Sequence, residues 1–264
     1  MRRVVRITTL LILYGVLATS GAAKEPGGSK NLLLSVGDIA MGQIADGEGW
    51  STTLTFVNLQ LFSRTFDVIF TGDDGNPLAL NFKDIGATST LSFSIPAGGT
   101  QQVETTGASF PVVQGWAVII AIDGDSTPIG GMAILRSSRP GLPDFESVVP
   151  FSNILDTYQV LSFDHRNGFL TGVALANPSF TSPMTISINF FDINGVFISS
   201  GSITLQGGQH TAFLLDARFP ELADRAGIAE FTGIDAAQTV GPVILGLRFN
   251  PSGPFTTLFP MTLP

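Results

Sequence analysis

The sequence predicts an all-β protein of two tandem immunoglobulin-like antiparallel β-sandwich domains behind a cleaved signal peptide. Three observations carry this. The stretch Gly49–Asn58 (GWSTTLTFVN) returns as Gly168–Asn177 (GFLTGVALAN), with residue type kept at every second position: Trp50, Thr52, Leu54, Phe56 and Asn58 against Phe169, Thr171, Val173, Leu175 and Asn177. That spacing is the side-chain period of a strand, and repetition at this distance marks two related modules. Short alternating runs punctuated by turn residues every 8 to 12 positions then fill both copies, as in a sandwich.

The chain in order begins with MRRVVRITTLLILYGVLATSGAAKEP. Arg2, Arg3 and Arg6 form a positive head, Leu10–Leu17 an apolar run and Gly21, Ala22 and Ala23 a small-residue exit. This is the three-part pattern of an export signal, residues 1–23, cut after Ala23. The run falls short of the roughly 20 apolar residues that a membrane anchor needs. Residues 24–31 read as a flexible polar leader, residues 32–154 as the first module and residues 155–264 as the second. At 264 residues, two domains of about 110 residues each are large enough to stand on their own cores.

Within the first module Phe66, Val68 and Phe70 alternate with Thr65, Asp67 and Ile69; in the second, Ile186, Ile188 and Phe190 alternate with Thr185, Ser187 and Asn189. Each run ends in a hairpin signal, Asp73-Asp74-Gly75-Asn76 or Asp192-Ile193-Asn194-Gly195. Leu91, Phe93 and Ile95 precede Gly98-Gly99, as Ile203 and Leu205 precede Gly207-Gly208. Gly115-Trp116-Ala117 recurs as Gly227-Ile228-Ala229, and Pro128 and Pro242 precede a further strand in each copy. An eight-stranded barrel is the alternative architecture. The first copy carries about ten extra residues around Lys83–Thr90, while Leu214–Ala223 offers apolar residues at helical spacing and predicts a short helix. The seam falls near Ser152–Tyr158, a connection short enough that the modules should touch.

Composition narrows the function. Cysteine is absent, which excludes a disulfide framework and leaves packing as the source of stability. Loss of residues 1–23 moves the formal charge from −8 to −11, a surface that repels nucleic acid. Charged residues make up 13% of the chain, against roughly 25% in an average soluble protein, so Ser, Thr, Asn and Gln must meet much of the solvent.

Residues with catalytic or binding potential are few. His165 and His210 are the only histidines and read as surface loop residues. Gly107-Ala108-Ser109-Phe110-Pro111 lacks the second glycine of a nucleophile elbow. Asp144 with Glu146, and Glu221 with Asp224, read as solvated loop acids rather than paired catalytic carboxylates. The acidic turns at Asp73-Asp74 and Asp192 open like calcium loops but lack the spaced ligands and closing glutamate. Trp50 and Trp116 could stack on sugars, yet their counterparts Phe169 and Ile228 keep only apolar character, which favours packing. Arg136 and Arg248 read as charges at the ends of matched strands.

The repeated DGEGWSTTLTFVN, DDGNP, PAGG and GWA, answered by GFLTGVALANP, DINGV, QGGQ and AGIA, resemble uncharacterised secreted bacterial proteins built of tandem immunoglobulin-like or fibronectin-like sandwiches. The resemblance implies architecture and an extracellular or periplasmic address; it brings no activity. The expectation is a non-enzymatic structural or adhesive module of the cell surface or periplasm. Its expected partners are a protein or a glycan, with self-association left open, no nucleic acid, no cofactor, no bound metal and no transmembrane segment in the mature chain. A carbohydrate-binding module is the alternative, and a hydrolase with a site in the crevice between modules the third reading.

Overall fold

The computed structural model describes residue 34 and residues 38–125, 129–141, 143–235 and 240–262. The expected signal peptide and leader, and Pro128, lie outside the described residues. Strands β1 (Ile39–Asp46), β2 (Trp50–Val57), β3 (Arg64–Gly72), β4 (Leu80–Phe82), β5 (Gly86–Thr88), β6 (Thr90–Ile95), β7 (Thr100–Glu104), β8 (Val113–Ala121), β9 (Gly130–Ser137), β10 (Phe145–Pro150) and β11 (Ser152–Asn153) build the first half. The second half comprises β12 (Tyr158–Asp164), β13 (Leu170–Ala176), β14 (Met184–Asp192), β15 (Phe197–Leu205), β16 (His210–Leu214), helix α1 (Leu215–Arg218), β17 (Ala226–Asp235), β18 (Val243–Phe249) and β19 (Phe255–Leu258).

The first half folds into sheets β11-β1-β8-β3-β6 and β10-β9-β2-β7, the second into β12-β17-β14-β15 and β16-β13-β18-β19. Setting aside the short β11, the two orders are the same strand for strand, so the duplication extends to topology. Each half is a pair of open sheets rather than a barrel. The strand order is also distinctive. An immunoglobulin constant domain sets its first strand beside the second and its seventh beside the sixth; here β1 lies beside β8, the sixth of its set, and β9, the seventh, beside β2. The extra residues of the first half form the β4-β5 hairpin. The helical spacing after Leu214 becomes one turn of α-helix, followed by a 3-10 turn at Pro220–Leu222.

Shared side chains perform shared tasks. Asn58 and Asn177, both fully buried, end β2 and β13. Each donates through Nδ2 to carbonyls at the end of a strand in the opposite sheet, β6 or β15: Asn58 to Ile95 and Pro96, Asn177 to Leu205 and Gln206. Each also accepts a backbone N–H two residues on through Oδ1. A buried amide must be satisfied in this way or cost a few kcal/mol. The repeated Gly115 and Gly227 have a different reason: a Cβ would stand 2.1 Å from the Thr71 carbonyl oxygen in the first copy and 1.9 Å from that of Phe191 in the second. Gly227→Ala is therefore expected to cost about 1–3 kcal/mol, the range for overpacking, read as a lowered midpoint in urea with unchanged slope.

Leu54 and Val173 are buried at the centres of β2 and β13, and β2 keeps strict alternation along its length. Strands β1, β8 and β13 do not alternate, because both faces are buried. One face of each fills its own sandwich, while the other meets the opposite half. Apolar clustering accordingly runs across the chain: Ala40, Trp116 and Val118 join the second core, and Ala174, Leu245 and Phe255 join the first.

Candidate functional site

The residues that looked most chemical converge on the junction between the halves. Trp116, on β8, projects from its sheet toward the second sandwich, where its indole N–H donates to the Gly208 carbonyl at 2.8 Å and its ring stacks on Phe180 at 5.6 Å. Against the surface expectation, His210 is buried, at the start of β16. Its Nδ1 lies 2.7 Å from Asp73 Oδ1 and its Nε2 3.2 Å from the Gly42 carbonyl oxygen. Asp73 Oδ2 accepts from Gln114 Nε2. The acidic turn of the first sandwich thus clasps the paired-glycine turn of the second, and a Cβ on Gly75 would meet the Gly207 carbonyl at 2.7 Å.

Below the clasp the contact is mainly apolar. Gly42 lies so close to β18 that a Cβ would sit 3.3 Å from that of Leu245. Ala174, Ala212, Leu247 and Phe249 face Trp50 and Leu135 across a residual cavity of about 30 Å³. Trp50 packs on Phe255 at 5.2 Å. At the margin β10 and β19 cover each other's edges, with Thr257 N donating to Ser147 Oγ and Thr257 Oγ1 to the Val148 carbonyl. Paired edges of this kind are closed to strand addition.

His165 is also buried, beside Phe163, with Nδ1 at 3.1 Å from the Leu222 carbonyl oxygen. His165 lies in the loop after β12, as the sequence predicts, and His210 opens a strand, but both are buried rather than at the surface, each drawn in by a carbonyl from an element distant in sequence. Ser109 donates to the buried Asp46, which also accepts the Gly107 N–H; this pins the loop before β8 and includes no base. Asp144 pairs with Arg136 at the surface, and Glu221 and Asp224 are exposed. Asp74 and Asp192 bond to N–H groups of their own turns. Among the described residues no three His, Cys, Asp or Glu side chains gather as a metal site.

Arg136 and Arg248 occupy matched strands but not matched positions. Arg136 pairs with Ser51 on the outer face of its sheet, whereas Arg248 pairs with Thr171, one step out of register and so on the opposite face. Arg248 lines an open cleft of about 590 Å³ at the far end of the second sandwich, with Phe163, Asp164, Arg166, Ile193 and Ile228. Its guanidinium lies 3.6 Å over the Phe169 ring and reaches Asp164 Oδ2 at 3.4 Å. Arg166 holds Asp164 Oδ1 at 2.9 Å.

The Arg166 hydrogen bond, aided by the Arg166 backbone N–H and charge and by Arg248, keeps the Asp164 carboxyl below its ordinary range against the opposing effect of burial. Asp192, also in the cleft, is lowered by the backbone N–H groups of Val196 and Asn194. Both acids remain ionised near neutrality and are committed to hydrogen bonds, so neither can supply a proton as a general acid. The cleft offers two cations on an apolar floor, which suits recognition rather than bond-making. No sequence signal marked it, because Arg166, Asp192 and Arg248 meet only through folding.

The fold and these sites define a tandem β-sandwich whose halves are locked face to face, with an open cleft at the end of the second. No protein-family model matches the chain, and no curated protein matches it.

Proposed function

We propose that the protein is an exported, non-enzymatic interaction module that presents its surfaces as one rigid block at the cell surface or in the periplasm. The observation that supports this best is the use made of its reactive side chains. His210, Asp73 and Trp116 tie the two sandwiches together, and His165, Ser109 and Asp46 hold loops. The close apolar junction argues against a hydrolytic site between the modules, since Gly42, Ala174 and Leu245 close the space where a substrate would enter. Both tryptophans are buried, which removes them as sugar platforms.

No helix among the described residues is long and apolar enough to cross a membrane, and the composition of residues 1–23 supports the export reading. Expression of the whole chain in a bacterial host is expected to release a product starting at Lys24. That product should turn over no ester, glycoside or peptide in a broad substrate panel. Turnover that disappears with Asp164→Asn or Ser109→Ala would overturn the non-enzymatic reading, and a chain kept in the cytoplasm with Met1 intact would overturn export.

A further inference from the structure

The clasp within the chain has a counterpart at its far end. In the first sandwich the receiving surface consists of Gly42 on β1, Gln114–Trp116 on β8 and Thr71–Gly75 at the end of β3. Thr71 pairs with Trp116 as Phe191 pairs with Ile228, and Gly115 and Gly227 occupy the same place beside them. The turns after β3 and β14 close with the same bonds, Gly72 N to Asn76 O and Asp192 N to Val196 O. Carried to the second sandwich, the receiving surface falls on Ser162, Ala226–Ile228 and Phe191–Gly195, and of these all but Phe191 and Asn194 line the open cleft.

The inserted part has a counterpart as well. In the chain it is the loop at Phe180 and the turn Gly207–His210, both at one end of the second sandwich. At the same end of the first sandwich stand the loop Leu59–Phe62 and the turn Ala97–Thr100. Leu61 is 95% and Leu59 77% exposed, large apolar side chains of the kind that mark an interaction site when grouped. The charges on both sides are already paired, Asp123 and Asp125 with Arg64, and Arg166 and Arg248 with Asp164, so the fit rests on the apolar side chains and on the matched position of the two surfaces.

We propose that the cleft of the second sandwich receives the Leu59–Phe62 end of the first sandwich of another copy, so that chains associate head to tail. Such a contact is heterologous, so copies add on into a ring or an open filament rather than pairing across a two-fold axis. It is smaller than the junction inside the chain. Ile69, Val118 and Ile120, which flank Trp116 on the buried face, correspond to Asn189, Glu230 and Thr232, so apolar contact is confined to the strand ends. The proposal does not depend on where the protein resides.

Sedimentation velocity of the purified chain tests this. The weight-average mass is expected to rise with concentration past two copies. Leu61→Asp and Ile193→Asp alter exposed positions and should leave the melting temperature unchanged. Each is expected to lower the association constant tenfold or more. Mixed in equal amounts, the two variants should form a dimer that grows no further, because one intact loop meets one intact cleft. A wild-type chain that stays monomeric at every concentration, growth that stops at two copies, or a mixture that remains monomeric would each overturn the proposal.

Discussion

Trp116→Ala is expected to destabilise the protein by about 3–5 kcal/mol, the usual cost of truncating a large buried aromatic. The indole is fully buried although it lies outside the core of its own sandwich. Its loss removes the stack on Phe180 and leaves the Gly208 carbonyl without its donor. Because the damage falls on the junction, one unfolding transition should become two, with the sandwiches melting apart. Trp116→Phe restores most of the apolar surface but not the donor, and should recover more than half of the loss. Urea titration followed by tryptophan and far-ultraviolet signals checks both, since coincident curves mark one cooperative unit. A variant that lost less than 1 kcal/mol would show that the halves are only loosely apposed.

Asp123→Asn is expected to cost about 2–3 kcal/mol, because it takes from a buried cation the nearer of its two carboxylates, the Asp125 carboxylate standing at 3.9 Å. Arg64, at the start of β3, is 1% exposed, and its Nε meets Asp123 Oδ2 at 2.8 Å. Removing one partner of a buried pair is far more damaging than replacing both, so Arg64→Met added to Asp123→Asn should recover part of the loss. The Asp125 carbonyl, which also accepts from Arg64, limits the effect. Burial by itself would raise the Asp123 carboxyl. The Arg64 hydrogen bond, the Thr65 and Asp125 N–H groups and the Arg64 charge outweigh it, and hold the group at about 2 against an ordinary 3.8.

A folded value below the unfolded one means that this stabilisation is complete above pH 4 and disappears as pH falls toward 2. With Asp123 one-fifth exposed, solvent screening brings the pH-dependent part down to about 1–2 kcal/mol. The wild type should lose that much more stability than Asp123→Asn between pH 4 and pH 2. Equal losses would contradict the ion pair.

The fold class was legible because a strand exposed on one face writes its burial into a period of two. In β2 that rule holds at every residue, and Leu54 and Phe56 point inward as their spacing requires. The junction was harder to read. Gly172, Ala174 and Ala176 lie between the alternating residues of the second anchor strand where Thr53, Thr55 and Val57 lie in the first. This shift to small side chains is the trace left by a neighbouring sheet, but small residues carry little hydropathy signal. Trp116 kept its apolar character in the repeat, which located it as buried but not against what. The histidines were misplaced because burial of a polar ring depends on acceptors brought from 57 and 137 residues away. Strand order was beyond the pattern as well, since alternation reports a strand's faces and not its neighbours.

Differential scanning calorimetry of the intact chain tests the central claim most directly. Two sandwiches joined by a closely packed apolar face should unfold in a single transition, with calorimetric and van't Hoff enthalpies equal. Two resolved transitions, or a calorimetric enthalpy near twice the van't Hoff value, would show that the halves fold and melt as separate beads.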